Sequence, residues 1–190
     1  IQYLSSLIGL DTWYDNQLWY AYKYATGFQG IVEISNSVAS IIKSIFGKSK
    51  KCLVLDLDHT LWGGVIGDDG VDGIQIGSET AISESYLNIQ QYIKKIKDRG
   101  VILAVASKND KDNAKDGFSH PDSILQFSDF TCVKANWDPK NINISKISEE
   151  INIGMESLVF IDDNPVEREI VRTTFPEVSV PDVGKDHTKY

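Results

Sequence analysis

Three short apolar runs, separated by longer segments with helical patterns, constrain the fold of this chain more than any other feature. The runs lie at 52–57, 101–106 and 158–161. A short, continuous apolar run is typical of a strand that is buried on both faces of a parallel sheet. The segments 80–99 and 140–152 carry apolar residues at helical spacing. Strands that alternate with helices predict an α/β fold with a central parallel sheet and helices on both faces.

Weaker patterns add four further elements. They are an amphipathic helix at 31–46, a strand at 130–133, a helix that Asn164 caps and a last strand at 178–180. Asn is a favoured N-cap residue, and Pro165 suits the first helical position that follows it.

Two other segments predict less regular structure. Residues 61–77 combine six glycines with interleaved aliphatic residues and an Asp69-Gly70 pair, which predicts a β-hairpin flap. Residues 110–129 are polar and predict an irregular loop. No stretch is long enough for a large, separate cap domain, so we expect an open site.

The length of 190 residues suits one domain with an appendage. The first 30 residues are rich in aromatic side chains, which usually bury large areas. Two interpretations stay open for them: a leading segment packed on the main domain, or the end of a preceding domain. We expect 1–50 to end a preceding domain, 51–181 to form the main domain and 182–190 to be a C-terminal tail. Because the chain begins at Ile1 rather than Met, we expect a processed chain or part of a longer protein.

Charge and cysteine content exclude several classes of protein. The formal net charge of −8 argues against a general nucleic-acid binder and against an anionic membrane surface as partner. Cys52 and Cys132 form no CxxC pair, which argues against a disulfide scaffold or a zinc site and fits a reducing compartment. No signal peptide or membrane-spanning stretch is visible, so we expect a cytoplasmic protein.

Polar residues that are able to bind a ligand or take part in catalysis follow the predicted strands. They are Asp56, Asp58 and Thr60 after the first run, Ser107 and Lys108 after the second, Lys140 before the third, and Asp162 and Asp163 after it. Because ligands bind beyond the carboxyl ends of strands in open α/β sheets, we expect these side chains to converge at one edge. Each alone is explained by a helix cap or a turn, but their joint order after successive strands favours a site.

Crowded carboxylates of this kind require a cation or raised pKa values. Oxygen ligands suit Mg²⁺, which prefers carboxylates, waters and a phosphate oxygen. An aspartate can attack phosphorus to form an aspartyl-phosphate, and a second carboxyl can protonate the leaving group. A Ser hydroxyl and a Lys ammonium can hold the phosphoryl oxygens. The residues therefore predict Mg²⁺-dependent phosphoryl transfer. We expect a small phosphorylated substrate as the partner, although an open site also suits a phosphate displayed on a large partner.

The sequence also resembles a known family at these positions. The run 55–62, LDLDHTLW, is similar to the first motif, DxDxT, of the haloacid dehalogenase (HAD) superfamily, and Ser107, Lys140 and Asp162-Asp163 match its second, third and fourth motifs. The resemblance is closer still to the FkbH-like subfamily (subfamily IIIC). It rests on 56–70 (DLDHTLWGGVIGDDG), 107–109 (SKN), 136–140 (NWDPK) and 160–168 (FIDDNPVER). It implies a three-layer Rossmann-like fold for the catalytic domain.

The resemblance implies a role for each matching residue. Asp56 is the expected nucleophile and metal ligand, and Asp58 the general acid/base, with its backbone carbonyl on Mg²⁺. Asp163 is expected to bind the metal, with Asp162 beside it or behind it. Thr60 is expected to steady the first motif and, with Ser107, Lys108 and Lys140, to form the phosphate-binding set. His59 replaces the family's usual Asn, and His120 and Trp137 are interpreted as a loop residue and a packing residue.

The resemblance also implies a specific reaction. FkbH-like proteins take a phosphorylated three-carbon acid, 1,3-bisphosphoglycerate, and pass a glyceryl group to an acyl carrier protein for polyketide-type assembly. Neither cysteine has a His nearby in the sequence, so the residues themselves do not indicate an acyl-transfer thiol. Two alternatives stay open: a small-molecule or protein phosphatase without acyl transfer, and a non-catalytic phosphate-binding or carrier-docking module.

Overall fold

A computed structural model describes residues 1–183 of the chain, and residues 184–190, most of the expected tail, lie outside the described residues. The chain divides into two compact units, Ile1–Ser49 and the residues from Lys50 onward. Within 1–183, no helix is both long enough and apolar enough to cross a membrane.

The first unit is helical. Its helices are α1 (Gln2–Ile8), α2 (Leu10–Trp13), α3 (Asn16–Tyr22) and α4 (Phe28–Ile45). The Asp15 carboxylate accepts the backbone N–H groups of Gln17 and Leu18 and so caps α3. The amphipathic pattern correctly predicts α4, which begins three residues earlier than expected. Many aromatic side chains of this unit are exposed, among them Tyr3, Tyr14, Tyr20, Tyr22, Tyr24 and Phe28. That 1–50 ends a preceding domain stays a prediction.

The second unit is built on a four-stranded parallel sheet. Its strands are β1 (Cys52–Leu55), β2 (Ile102–Ser107), β3 (Cys132–Ala135) and β4 (Leu158–Ile161), in the order β3-β2-β1-β4. Its helices are α5 (Ile66–Gly73), α6 (Ala81–Asp98), α7 (Lys111–Gly117), α8 (Lys140–Ile151) and α9 (Pro165–Thr174). Strands β1 and β4 pair in register from Cys52 with Leu158 to Leu55 with Ile161. The predicted α/β fold with a parallel sheet is confirmed.

Alternate side chains of the strands belong to two hydrophobic clusters, one on each face of the sheet. Leu53 and Leu55 of β1 join one cluster with Ile93 of α6 and Ala114 of α7. Cys52 and Val54 of β1 belong to the other cluster. There they pack with Ile144 and Ile147 of α8 and with Val171 of α9. Because both faces are covered, the strands read as continuous apolar runs, which is why they could be predicted.

The predicted β-hairpin flap at 61–77 is wrong. Gly63 and Gln75 form an isolated antiparallel bridge, but the chain between them forms α5. The Asp69 carboxylate accepts the Val65 N–H at 2.8 Å, which satisfies a free donor at the start of the helix. Gly70, with φ of 67°, kinks α5, so the Asp-Gly pair that suggested a hairpin turn lies inside a bent helix.

Two other predictions need correction. Residues 110–129 are not all irregular, because 111–117 form α7 and Phe127–Asp129 form a 3₁₀ turn. Gly117 of α7 lies so close to Trp62 that a Cβ on it would meet the indole at 2.7 Å, and a polar sequence gives no sign of this packing. The last strand at 178–180 is reduced to a bridge between Val159 and Ser179.

Candidate active site

The pairing of β1 with β4 brings three carboxylates together at the carboxyl edge of the sheet. Asp56 follows β1, and its N–H donates to Ile161 O, the last residue of β4, at 3.0 Å. Asp162 and Asp163 come directly after Ile161. The ligand atoms of Asp56, Asp162 and Asp163 lie within 4.8 Å of one another, which is close enough to share one metal ion. The sequence expectation that these aspartates meet therefore agrees with the geometry.

Lys140, the first residue of α8, lies between two of these carboxylates. Its Nζ is 2.7 Å from Asp56 Oδ2 and also donates to Asp162 Oδ2. The side chain is buried, which by itself lowers a Lys pKa, but the carboxylates of Asp56 and Asp162 outweigh burial and raise the pKa of Lys140. Lys140 is therefore charged and holds the two strand ends together.

The remaining charge of the cluster fits a divalent cation. Three carboxylates and one ammonium group leave two negative charges in a mostly buried place. Burial first, and then repulsion by Asp56, raise the pKa of both Asp162 and Asp163. A hard divalent ion with oxygen ligands relieves this repulsion, and Mg²⁺ is the ion that carboxylates and a substrate phosphate bind together.

The two neighbouring aspartates have different surroundings. Both oxygens of Asp162 are engaged, Oδ2 by Lys140 and Oδ1 by the N–H of Asn164 at 2.8 Å. Asp162 is fully buried, whereas Asp163 is half-buried. Arg168 Nη1 donates to the backbone oxygens of both residues, at 2.8 and 2.7 Å, and fixes the loop after β4. Sequence reasoning missed this role of Arg168, although the residue lies in the 160–168 motif.

Asp58 does not belong to the carboxylate cluster but lies next to it in a cage of donors. Its Oδ1 accepts from Trp62 Nε1 at 2.9 Å and from Ile66 N at 3.0 Å, and its Oδ2 accepts from Asn109 Nδ2 at 2.7 Å. Burial raises the pKa of Asp58, although the hydrogen bonds from Ile66 and Trp62 oppose the shift. A raised pKa suits a group that must give and take a proton.

The other predicted site residues lie on the same edge, but their contacts differ. Thr60 is buried, and its hydroxyl accepts the N–H of Asp163 at 3.2 Å, so it ties the loop after β1 to the loop after β4. Ser107 is buried at the end of β2. Lys108 forms an ion pair with Glu167 of α9, and its ammonium group is therefore engaged by protein.

Two aromatic residues near the edge need comment. His59 has a left-handed backbone conformation, and its Nδ1 accepts the N–H of Gly64 at 3.3 Å. It is exposed and does not belong to the carboxylate group that could hold a metal. The interpretation of Trp137 as a packing residue is wrong, because 71% of its surface is exposed while its Nε1 donates to Asp110.

Comparison of the chain with known proteins supports the fold described above. No protein-family model and no curated protein matches the sequence. Among solved structures, the chain aligns over 76% of its length, with a TM-score of 0.52 and 15% identity, to the HAD domain of the effector protein Lem4 from Legionella pneumophila, and covers 90% of that chain. The chain has the HAD fold.

A second match is much closer than this HAD domain. All of the chain aligns, with a TM-score of 0.95 and 40% identity, to the N-terminal part of the protein BF1531 from Bacteroides fragilis, a structure that contains a phosphatase domain and was solved with Mg. The chain spans 51% of the length of that protein chain. The chain therefore has the HAD fold and is also similar in sequence to a protein that contains a phosphatase domain.

Proposed function

We propose that residues 50–183 form an Mg²⁺-dependent HAD-type phosphatase domain that works through an aspartyl-phosphate on Asp56. The observation that carries the proposal is the group of Asp56, Asp162 and Asp163, whose ligand atoms lie within 4.8 Å of one another beside the buried ammonium of Lys140. The 40% identity to a protein chain that contains a phosphatase domain and was solved with Mg supports it.

Asp56 and Asp163 are the side chains that would hold the metal, because both oxygens of Asp162 are already engaged. The backbone carbonyl of Asp58 is the third protein ligand that we expect. When bound, Mg²⁺ neutralises charge on the phosphoryl oxygens and brings the anionic substrate to the anionic nucleophile. Asp162 keeps Lys140 in place, and the Lys140 ammonium offsets part of the negative charge at the reacting centre.

The reaction proceeds in two displacements. The Asp56 carboxylate attacks phosphorus, the bond from phosphorus to the leaving oxygen breaks, and that oxygen takes a proton from Asp58. A water molecule then attacks the aspartyl-phosphate and gives a proton to Asp58. The bond between phosphorus and Asp56 breaks, and inorganic phosphate leaves. Ser107 and Lys140 are the side chains that we expect to hold the phosphoryl oxygens during both steps, and Lys108 joins them when its ammonium group leaves Glu167 for the substrate.

Release of inorganic phosphate from an aryl phosphate tests the proposal. We expect turnover by the wild-type chain that a metal chelator abolishes and Mg²⁺ restores. Asp56→Asn keeps the size of the side chain but removes the nucleophile, so we expect no detectable turnover from a chain that circular dichroism shows to be folded. Phosphate release by Asp56→Asn at the wild-type rate would contradict the proposal.

The more specific proposal is FkbH-like glyceryl transfer. The support for it is the similarity of residues 56–70, 107–109, 136–140 and 160–168 to that subfamily. The two cysteines are buried, and burial raises the pKa of Cys52 to about 12 and that of Cys132 to about 11, so neither is prepared to carry an acyl group. The acceptor thiol of the proposal therefore belongs to the phosphopantetheine of an acyl carrier protein.

Mass spectrometry of a carrier protein separates this reaction from simple phosphatase action. The chain, incubated with 1,3-bisphosphoglycerate and a phosphopantetheinylated carrier protein, is expected to add a glyceryl group to the carrier. Phosphate release without any gain in carrier mass favours a small-molecule or protein phosphatase. Absence of both, together with phosphate or carrier binding, favours a non-catalytic module.

A further inference from the structure

The Asp58 carboxyl is held by several hydrogen-bond donors that take no direct part in the two displacements. Three groups, the Trp62 indole, the Ile66 backbone and the Asn109 amide, donate to one carboxyl. Trp62, Ile66 and Asn109 are all buried, while Asp58 is only half-buried. The partners of Asp58 are therefore held by the core, whereas part of Asp58 itself stays accessible.

The two carboxyl oxygens of Asp58 differ in the number of hydrogen bonds that they accept. A carboxylate oxygen has room for about two hydrogen-bond donors. Oδ1 accepts from Trp62 and Ile66, so its positions are filled, whereas among residues 1–183 Oδ2 accepts from Asn109 alone. The one position left for a proton is thus on Oδ2, on the same oxygen that Asn109 holds.

The indole that holds Oδ1 is itself fixed by packing. Trp62 is fully buried, and its ring lies edge-on to Phe118 with 5.3 Å between the ring centroids. On the α7 side, a Cβ on Gly117 would lie 2.7 Å from the indole, so only glycine leaves the ring where it is. Rigid support of this kind is what a proton-transferring group needs, because its reach must match the reacting oxygen closely.

We propose that Asn109 and Trp62 are positioning residues that lock the Asp58 carboxyl so that Oδ2 delivers the proton to the leaving oxygen. This inference rests on the proposed function, since it needs a leaving group to protonate. Neither residue touches the phosphoryl group. Both act through Asp58, and their loss weakens acid catalysis while the nucleophile and the metal-binding carboxylates remain.

The dependence of rate on the leaving group tests this role. The probes are a series of aryl phosphates whose phenols range from acidic (4-nitrophenol) to weakly acidic (phenol), and the measurement is kcat/KM for each. An acidic phenol departs without help, whereas a weakly acidic one needs a proton from Asp58. We expect Asn109→Ala to lose about tenfold more kcat/KM on phenyl phosphate than on 4-nitrophenyl phosphate, because acid catalysis contributes about a hundredfold or more.

Two further variants test the same positioning role, so that the conclusion does not depend on Asn109→Ala alone. Trp62→Phe removes the N–H donor to Oδ1 together with part of the buried ring, and Gly117→Ala displaces the indole while keeping that donor. Both variants are expected to make the loss of kcat/KM larger for weakly acidic phenols than for acidic ones. Asn113→Ala is the matched control, because Asn113 lies on α7 near Gly67 and does not contact Asp58 in the described hydrogen bonds. We expect it to leave the dependence unchanged.

The outcomes separate the inference from the proposed function. A uniform loss of kcat/KM across the series, or no loss, in Asn109→Ala and Trp62→Phe overturns the positioning role while the phosphatase stands. A wild-type chain that hydrolyses none of the aryl phosphates overturns the proposed function and this inference with it. A steeper dependence in both variants, with the affinity for Mg²⁺ unchanged, supports the inference.

Discussion

At the scale of single residues, the buried ammonium of Lys140 matters most, since it is the group that joins Asp56 to Asp162. Removal of one partner from a buried ionic group leaves the others without compensation and usually costs several kcal/mol. Here the carboxylates left behind are those of the proposed metal site, so a divalent cation can replace part of the lost charge. The stability of a Lys140 variant should therefore depend on Mg²⁺ more than that of the wild type.

We expect Lys140→Met to lower the free energy of unfolding by about 3 kcal/mol without metal and to recover part of it in Mg²⁺. Turnover should fall about a hundredfold or more, because a charge that stabilises the transferring phosphoryl group is gone. Thermal and chemical denaturation with and without Mg²⁺ measures the first effect. Lys146→Met is the matched control on the same helix, since Lys146 pairs with Asp138 at the surface. Equal effects of the two substitutions contradict this account.

At the scale of elements, an ionic link joins α6 to the 3₁₀ turn before β3. Asp129 is buried and accepts from the Gln126 N–H and from the Nζ atoms of Lys94 and Lys97. Burial acts to raise the pKa of Asp129, but these three donors outweigh it and lower the pKa to about 2. Because the folded-state pKa lies below the unfolded value of about 4, the charge stabilises the fold above pH 4, and that contribution is lost as the pH falls toward 2.

We therefore expect Asp129→Asn to destabilise the protein by about 1 to 2 kcal/mol at pH 7 and by clearly less at pH 3. Urea denaturation of both proteins at the two pH values measures the difference. Glu150→Gln, which breaks the exposed pair with Lys134, serves as the control and should change stability little. A difference for Asp129→Asn that stays constant down to pH 3 is inconsistent with the ionic link.

The elements also show how far the sequence predicts the fold. Strands β1 and β2 could be predicted because both of their faces are buried, and β4 because one face is buried and the other half-buried, so that its run is apolar throughout. Helix α5 could not, because its glycines and aspartates have the composition of a turn, and the contact of Asp69 with the Val65 N–H at the start of the helix is not visible in that composition. Helix α7 could not either, since Ala114 and Gly117 are its only buried residues.

The candidate site was predictable to a similar degree. The convergence of Asp56 with the Asp162-Asp163 pair followed from the rule that parallel strands present their carboxyl ends on one edge. The Asn109 contact with Asp58 joins positions 51 residues apart and depends on how two loops approach each other. No local pattern in the sequence encodes that approach.

At the scale of the whole molecule, the second unit contains everything that the proposed reaction needs. Both hydrophobic clusters lie between Cys52 and Val180, and the carboxylate cluster, Lys140 and Asp58 lie in the same range. In the first unit, α1, α2 and α3 bury none of their residues. Because both hydrophobic clusters are built from residues of the second unit, we expect that unit to fold without the first.

We expect a shortened chain that begins at Lys50 to fold cooperatively and to keep Mg²⁺-dependent phosphate release within about twofold of the whole chain, as expected of a small two-state domain. Calorimetry and steady-state kinetics on both chains make the comparison, with Asp56→Asn in the shortened chain as the inactive control. A shortened chain that does not fold, or folds without activity, shows that residues 1–49 belong to the catalytic unit.

The central claim is that Asp56 carries the phosphoryl group, and the most direct test is to find that group on the protein. The wild-type chain is mixed with an aryl phosphate and Mg²⁺, quenched in acid during turnover, digested and analysed by mass spectrometry. We predict an acid-stable, base-labile phosphate on the peptide that contains Asp56, and none in Asp56→Asn. Rapid turnover with no phosphate on Asp56, or with phosphate on another residue, contradicts the account.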